Sequence, residues 1–289
     1  MCAQLSKKDF DIIIRDNLIE DDKKNKALLR LNDPKFDCYY TDAAYNDFLN
    51  DMERDFRTAF LDYTNGQGHE TAPRRNGPPK MASVASSSRF CYYALRNGAK
   101  AVGGGDNIKF EKACEIKKLR TAAQLDAYDE EHNIYFEVKC HEIFDGSERF
   151  RPSYINFFKN VNTDFGFNAI NYYGANDKGE FYIDIYDGKR VDIPRFNVKQ
   201  FICHLIAISA NKEKDTPATL AYLFFKPKHS RYHNEIDLVF EELKSSIKLA
   251  FDNDHIRQYC KKHNIKLKAF AEYDTIMQEL TNANIEVLY

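Results

Sequence analysis

Apolar residues recur at helical spacing through residues 5–62, and charged residues fill the positions between them. The clearest apolar stripe comprises Phe48, Leu49, Met52, Phe56, Phe60 and Leu61. Side chains three and four positions apart lie on one face of a helix, so this stretch is predicted to be helical. Residues 64–80 then become rich in Gly and Pro and include Arg74, Arg75 and Lys80, which is typical of a loop. Residues 1–80 are therefore interpreted as a helical N-terminal extension with a basic loop.

Strand-like patterns dominate the centre of the chain. A helix is predicted over residues 81–97, and Gly98 and the run Gly103–Gly105 end it. Three short segments of strand character follow, at Ile108–Ile116, Ala122–Tyr128 and Ile134–Ile143. The polar residues 129–133 separate the last two segments, so we expect those two strands to form a hairpin.

The second half of the chain alternates between helical and strand-like patterns. Residues 145–197 are irregular and rich in aromatic residues. The other elements predicted are a strand at Phe181–Tyr186, helices at 197–210 and about 234–252, a shorter helix after that, strands at 218–226 and near Ile265–Phe270, and a last helix near 274–283. The run at 218–226 is apolar without interruption, as in a strand buried on both faces. The order predicts an α/β domain over residues 81–289, with a central mixed sheet flanked by helices and an aromatic insertion at 145–197.

Composition narrows the class of protein. Hydrophobic residues make up 43% of the 289, which argues against wholesale disorder. The net charge is −2, so binding to nucleic acid would have to use a local basic patch and not the overall field. This counts mildly against a protein whose sole role is to bind DNA, and little against an enzyme with acidic metal ligands.

The cysteines and the apolar runs predict where the protein acts. Seven cysteines are scattered along the chain and none forms a CxxC pair, which predicts reduced thiols in the cytoplasm and argues against a structural zinc site. The first residues, MCAQLSKKDFDIII, carry charges and lack the apolar core of a signal peptide. No apolar run approaches the roughly 18 residues that a membrane span needs. We therefore expect a soluble, cytoplasmic protein with no membrane partner.

Alternation along the segment at 134–143 sorts its side chains onto two faces. Phe136 and Val138 share an apolar face, whereas Glu137 and Lys139 share the other face, about 7 Å apart along the strand. Asp126 lies on the polar side of the preceding segment. If the two strands pair, Asp126 comes to lie beside Glu137.

Two carboxylates and a lysine at this spacing suit phosphodiester hydrolysis. Close carboxylates repel unless a divalent cation neutralises them, and Mg²⁺ is commonly held by one or two carboxylates, with waters and substrate phosphate completing its shell. The cation lowers the pKa of a bound water, and a lysine beside it can orient that water and stabilise the transition state. The plainer alternative is a solvated Glu-x-Lys pair on a surface strand, and the pattern alone does not exclude it.

Leu125-Asp126-Ala127, followed by Tyr135-Phe136-Glu137-Val138-Lys139, resembles the core motif of the PD-(D/E)xK nucleases. More narrowly, residues 86–226 are similar to a bacterial family of restriction-endonuclease-like proteins. The shared features are Ser86-Ser87-Ser88 at a helix start, the pair Phe110-Glu111, the Leu-Asp-Ala element, the Glu-Val-Lys strand and a helix beginning Lys199-Gln200. The resemblance covers about half the chain and does not extend to the first 80 residues.

The resemblance implies a restriction-endonuclease-like α/β core and divalent-metal-dependent cleavage, with Mg²⁺ as the cofactor and Mn²⁺ as a substitute. The catalytic residues it implies are Asp126, Glu137, Lys139 and Gln200. The metal ligands it implies are Asp126, Glu137, Val138 and Glu111. The nucleic-acid contacts that complete the site are Ser87, Ser88, His141, Arg149 and Arg151.

The chain departs from the family pattern at two positions. No proline precedes Asp126. The family often supplies a further acid from the first core helix, but residues 81–97 contain none, and Glu111 is the best substitute, ahead of Glu115. Either glutamate has the alternative of a surface strand carboxylate.

The remaining candidates also have plain alternatives. Gln200 can equally be a solvent-facing glutamine, and His204, one turn later, could share its helical face. His141 points with the acidic pair if the strand stays regular, and it then suits the part of a bystander or a phosphate contact better than that of a catalytic base. The basic residues in the aromatic insertion include Arg149, Arg151 and Lys159. The insertion would either stack on and grip nucleic acid or pack on its own rings.

Three functions follow from these patterns. The first is a DNA endonuclease of restriction-like type, the second is a catalytically silent nucleic-acid-binding or scaffold protein that keeps the fold, and the third is a nuclease acting on RNA or single-stranded ends. The complete set of Asp126, Glu137 and Lys139 favours catalysis, because drift would readily erase one member. Double-strand cleavage would favour a homodimer, since one site cuts one strand. We also expect basic residues to surround the cleft, drawn from Arg74, Arg75, Lys80, Arg149, Arg151 and Lys159.

Overall fold

The computed structural model describes residues 5–52, 54–61, 71, 74–116, 121–146, 148–154, 172–173, 176–180, 182–183, 193–213, 215–228, 231–274 and 279–289. The α-helices are α1 (Lys7–Asp21), α2 (Asn25–Leu28), α3 (Asp42–Asp51), α4 (Arg54–Leu61), α5 (Ser87–Leu95), α6 (Val198–Asn211), α7 (His233–Phe251) and α8 (Asp254–Lys262). Short 3₁₀ helices lie at Lys80–Ala82, Lys100–Val102 and His141–Phe144. The strands are β1 (Ile108–Ile116), β2 (Thr121–Asp129), β3 (Ile134–Lys139), β4 (Tyr172–Tyr173), β5 (Tyr182–Ile183), β6 (Ala218–Pro227), β7 (Ile265–Asp274) and β8 (Ile285–Val287).

The described strands form one large mixed sheet and one small sheet. The large sheet has six strands in the order β1-β2-β3-β6-β7-β8, and β4 pairs with β5 separately. β1, β2 and β3 pair antiparallel, β3, β6 and β7 pair parallel, and β8 returns antiparallel to β7. The predicted hairpin is therefore present, and α6 lies in the crossover between the parallel strands β3 and β6.

β6 lies in the middle of the sheet because its residues are apolar on both faces. All but one of its positions are buried, and the exception, Lys226, is half-buried. Parallel strands covered on both sides read as continuous apolar runs, so the prediction of a central strand at 218–226 is confirmed.

Helices cover both faces of the sheet. Along β6, the side chains of even-numbered and odd-numbered residues point to opposite faces of the sheet. Phe225 contacts Phe90 of α5 on one face, with ring centroids 5.3 Å apart. Tyr222, on the other face, packs against Phe251 of α7 and Phe201 of α6, which stack on each other at 5.1 Å. The chain is thus α/β, with a mixed sheet between two helical layers.

The N-terminal helices share the core of the sheet. Phe56 of α4 meets the ring of Phe110 on β1 edge-on at 4.7 Å. Phe10 of α1 is fully buried and its ring lies 5.2 Å from that of Phe144. One hydrophobic cluster runs through the described residues from Leu5 to Leu288. Within the N-terminal extension, helices α1 and α4 therefore pack onto the rest of the chain.

Several predicted boundaries are wrong. The helix predicted at 81–97 spans only Ser87–Leu95, because a 3₁₀ turn at Lys80–Ala82 and a second turn at 84–85 come first and Ser86 caps the helix. The last helix is not found at 279–284, where the chain leads directly into β8, and residues 275–278 lie outside the described part. For the strand predicted at Phe181–Tyr186, residues 182–183 do form a strand, and its bounds stay a prediction because the other positions lie outside the described residues. Most of the aromatic insertion also lies outside the described residues.

The strand that carries Glu137 ends earlier than predicted. β3 stops at Lys139, not at Ile143, and a 3₁₀ helix follows. Cys140 has φ −112° and ψ −95°, which is not extended backbone. Its N–H donates to the Glu142 side chain at 2.7 Å and not to a neighbouring strand. The alternation of faces therefore holds only up to Lys139.

Candidate active site

Asp126, Glu137 and Lys139 line one cleft with a volume of about 740 Å³. Ala127 of β2 pairs with Phe136 of β3, so the register continues Asp126 across from Glu137. The Val138 N–H donates to Asp126 Oδ2 at 2.6 Å, which draws the Asp126 side chain onto the end of β3. The structure therefore brings the three predicted residues together on the same side of the sheet.

The two oxygens of Glu137 have different surroundings. Oε1 accepts hydrogen bonds from the Lys139 ammonium and from Gln200 Nε2, the latter at 2.7 Å. Oε2 is buried and has no hydrogen-bond partner in the described part of the chain. The structure thus places Gln200 against the site, as predicted, and leaves one buried carboxylate oxygen without a hydrogen bond.

Burial raises the pKa values of both acids. The Asp126 pKa lies well above its ordinary value because the carboxyl is desolvated and Glu137 is close. Desolvation also raises the pKa of Glu137, and the nearby Lys139 ammonium opposes this shift. Two desolvated carboxylates facing each other favour either a proton or a cation between them.

Lys139 stays charged in this setting. Burial alone would lower the pKa of its ammonium, but the carboxylates of Glu137, Asp126 and Glu142 raise it above the ordinary value. Its side chain is only 15% exposed. The cleft therefore contains a fixed positive charge next to the acids.

Glu142 belongs to the site, although the sequence analysis did not select it. The carboxylate lines the same cleft and accepts the Cys140 N–H. Desolvation opposes its ionisation, but Lys139, His141 and a hydrogen bond from Ser87 lower its pKa. A strand continuing to residue 143 would have pointed Glu142 to the apolar face, so only recognition of the break at Cys140 would have revealed it.

Glu111 lines the cleft from β1. Its neighbours Phe110 and Lys112 pair with Ala127 and Leu125, which sets Glu111 across from Asp126. Its φ of 55° lies in the left-handed region, where a glutamate is strained. Such strain persists only where the surroundings enforce it, and it clusters at functional sites.

The predicted nucleic-acid contacts divide into two groups. Ser87 and Ser88, at the start of α5, line the cleft, and so does Arg151. His141 and Arg149 are not among its lining residues. His141 lies away from the cleft because β3 has ended before it, and its Nδ1 lies 2.6 Å from Asp11 Oδ1 of α1, so its contact with nucleic acid stays a prediction.

The expected ring of basic residues is only partly present. Of the predicted set, Arg151 lines the cleft, whereas Arg74, Arg75, Lys80 and Arg149 do not, and Lys159 lies outside the described residues. Two cations that the sequence analysis missed, Arg195 and Lys199, line it near the start of α6. They pair with Glu242 and Glu148 at 3.0 and 2.8 Å. The acids Asp145 and Glu148 also lie at the cleft, so its wall carries mixed charge.

His204 lies deep in the cleft, one turn after Gln200 on α6. It is 2% exposed, and its Nδ1 is 3.6 Å from Glu137 Oε2. Desolvation, and then the Lys139 charge, lower the pKa of His204 to about 3, so the ring is neutral. The shared helical face of Gln200 and His204 therefore points at Glu137.

A complete ligand shell is not preformed. Within the described residues, no three side chains of His, Cys, Asp or Glu converge closely enough to hold a metal ion. Val138 contributes its N–H to Asp126, while its side chain is buried on the apolar face. Its carbonyl as a metal ligand stays a prediction.

Comparison with known proteins adds no relative. No family model matches the chain, and no curated protein or solved structure does so either. In the part of the chain that the structure describes, no helix has the length and apolar character needed to cross a membrane.

Proposed function

We propose that this protein is a divalent-metal-dependent nuclease that hydrolyses phosphodiester bonds, with a DNA endonuclease of restriction-like type as the specific form. The proposal rests on one observation: Asp126, Glu137 and Lys139 line a single cleft, and a hydrogen bond from the Val138 N–H holds the Asp126 carboxylate there. A solvated surface pair does not account for it, because Glu137 is only 2% exposed.

The order of elements around the cleft supports the same proposal. α5, β1, β2, β3, α6 and β6 follow each other along the chain, and the acids lie on the two neighbouring strands β2 and β3. This order agrees with the restriction-endonuclease-like core that the motif resembles. Because a fold can serve many functions, the order supports the proposal only together with the acids and the lysine.

The donor atoms fit a divalent cation. Glu137 Oε2 is buried without a hydrogen bond, and Asp126 and Glu111 present carboxylates to the same space. Hard oxygen donors of this kind are those that Mg²⁺ and Mn²⁺ take in proteins. When bound, the cation supplies the positive charge that screens the phosphate and acidifies a water.

The protein groups have separate roles in the proposed reaction. Lys139 Nζ orients the attacking water and stabilises the negative charge that grows on the phosphate oxygens. Gln200 and Lys139 together hold Glu137 Oε1, which leaves Oε2 facing the cleft. Ser87, Ser88 and Arg151 offer donors that suit a phosphate backbone.

The test is cleavage of supercoiled plasmid and of duplex, single-stranded and RNA oligonucleotides with Mg²⁺, with Mn²⁺ and with EDTA. We expect nicking or linearisation of plasmid with either cation and none with EDTA. Glu137→Gln keeps the size of the side chain and should abolish cleavage, whereas Glu213→Gln on the exposed turn after α6 is the matched control. Nucleic-acid binding without cleavage under every condition would favour the silent scaffold, and cleavage of RNA alone would overturn the DNA assignment.

A further inference from the structure

The buried gap between His204 and Glu137 is chemically unusual. Nδ1 of His204 and Oε2 of Glu137 lie 3.6 Å apart, too far for a hydrogen bond. Neither atom has a hydrogen-bond partner among the described residues, and both residues are only 2% exposed. Two buried polar atoms without hydrogen bonds lower the stability of the fold, so we expect an ion or a molecule to bind between them.

The hydrogen-bonding of the ring limits what that occupant can be. The other ring nitrogen of His204 bonds the backbone of Gln124, a contact that favours the charged ring and therefore uses a ring N–H. A neutral imidazole that donates from Nε2 presents a lone pair on Nδ1. Glu137 Oε2 also presents lone pairs, because Lys139 and Gln200 bind only Oε1. Two acceptors thus face each other across the gap.

We propose that His204 Nδ1 is a nitrogen ligand to the divalent cation of this site, alongside Glu137 Oε2. The proposal rests on the function proposed above and names a ligand that the acidic motif does not include. Two ligand atoms at roughly 2.1 Å from one ion are about 3.0 Å apart at the right angle of an octahedral shell and about 3.4 Å apart at a tetrahedral angle, so a small closure of the 3.6 Å gap would let both atoms bind one ion.

The nitrogen ligand changes which cation the site prefers. Mg²⁺ favours oxygen donors, whereas a site with a nitrogen ligand binds divalent transition metals with an affinity that rises from Mn²⁺, the weakest, through Co²⁺. The protein should therefore bind Mn²⁺ and Co²⁺ more tightly than Mg²⁺. Cleavage with Mg²⁺ would still occur, but it would require a higher concentration of the ion.

The experiment measures binding and not activity. The full chain is stripped with EDTA, dialysed and titrated with Mn²⁺, and the free ion is followed by electron paramagnetic resonance. Electron spin echo modulation then reports whether a ¹⁴N nucleus is bonded directly to the ion, and ¹⁵N-histidine labelling confirms its source. We expect ¹⁴N modulation in the unmodified chain, and about tenfold or greater weakening of Mn²⁺ binding in His204→Gln and His204→Phe.

His233→Gln removes an exposed imidazole and serves as the control, with binding expected to stay unchanged. If Mn²⁺ binds without histidine ¹⁴N modulation, the proposed ligand is wrong while the nuclease can stand, and cleavage assays decide that separately. If no Mn²⁺ binds, the ligand assignment also fails. Absence of histidine ¹⁴N modulation in the unmodified chain overturns the proposal even if neither variant at position 204 folds.

Discussion

At the scale of single residues, the most informative feature is the difference in hydrogen bonding between the two carboxylate oxygens of Glu137. Oε1 is held by Lys139 and Gln200, while Oε2 faces His204 without a hydrogen bond. In a surface Glu-x-Lys pair both groups would be solvated, and the ion pair would stabilise the fold by at most about 1 kcal/mol. Here burial makes each charge depend on its neighbours, so single substitutions should have large and distinct effects.

Lys139→Met should separate catalysis from binding. The change keeps the aliphatic stem and removes the charge, so we expect cleavage to fall at least about 100-fold. DNA affinity in a gel-shift assay should change little, because Lys139 acts on the transition state more than on the bound substrate. Since the ammonium balances buried carboxylates, stability should also fall, by up to about 3 kcal/mol in urea unfolding. Full cleavage by this variant would rule out the assigned role.

Asp126→Asn should stabilise the metal-free protein at neutral and alkaline pH. The amide oxygen can still accept the Val138 N–H, and the buried negative charge is gone. The Asp126 pKa is raised on folding, so its contribution to stability is fully present below the unfolded-state pKa and is lost as pH rises through the folded-state value. The gain in Tm should therefore be largest at high pH and shrink towards about pH 4.

Thermal melts in EDTA across this pH range provide the measurement. Asp177→Asn, at an exposed turn position, is the control and should show no such trend. The same Asp126→Asn protein should lose Mn²⁺ binding and cleavage. A variant that melts below the unmodified protein at pH 8 would contradict the account of crowded carboxylates.

At the scale of elements, β3 carries chemistry on one face and packing on the other. Phe136 is 1% exposed and lies on the face opposite Glu137. Phe136→Ala should cost roughly 3–5 kcal/mol by leaving a cavity, as measured by urea unfolding. Leu238→Ala on α7, where the side chain is 59% exposed, should change the free energy of unfolding far less. Comparable losses in both variants would mean that the core face of β3 has been misassigned.

The order of these elements was largely predictable from the sequence. Side-chain periods of two and 3.6 residues depend on local backbone geometry, so β1, β2, β6 and α6 follow from the pattern of apolar residues. The end of β3 was missed, although the alternation breaks at Glu142 and Ile143, which a continued strand would place on the apolar and the polar face respectively. A hydrogen bond from the Cys140 N–H to the Glu142 carboxylate replaces the strand ladder there, and composition does not reveal that choice.

At the scale of the whole molecule, α1 braces the segment that follows β3. Lys7 pairs with Asp145 at 2.7 Å, Asp11 bonds His141, and Phe10 packs on Phe144. Glu142, between these contacts, faces the cleft. The N-terminal extension therefore supports the wall of the site.

Phe10→Ala should weaken both stability and cleavage. Loss of the fully buried ring would leave a cavity and lower the free energy of unfolding by roughly 3–5 kcal/mol. The segment at 141–145 would also lose its contact with α1. Hydrogen exchange of that segment, read together with plasmid cleavage under conditions where the protein stays folded, measures both effects. Unchanged exchange at 141–145 would show that α1 stabilises the core without bracing the site.

The sequence by itself determined the pairing of Glu137 with Lys139 on one strand face, the position of Asp126 on the neighbouring strand, and the buried character of β6. These features are local, because a short hairpin and a strand period of two residues set them. Only the tertiary structure decided that Gln200, 63 residues from Glu137, reaches Oε1, that His204 faces Oε2, and that α1 contacts the segment that carries Glu142. Such contacts depend on how the helical layers pack against the sheet, and burial then sets the charges and the unsatisfied atoms that give the site its chemistry.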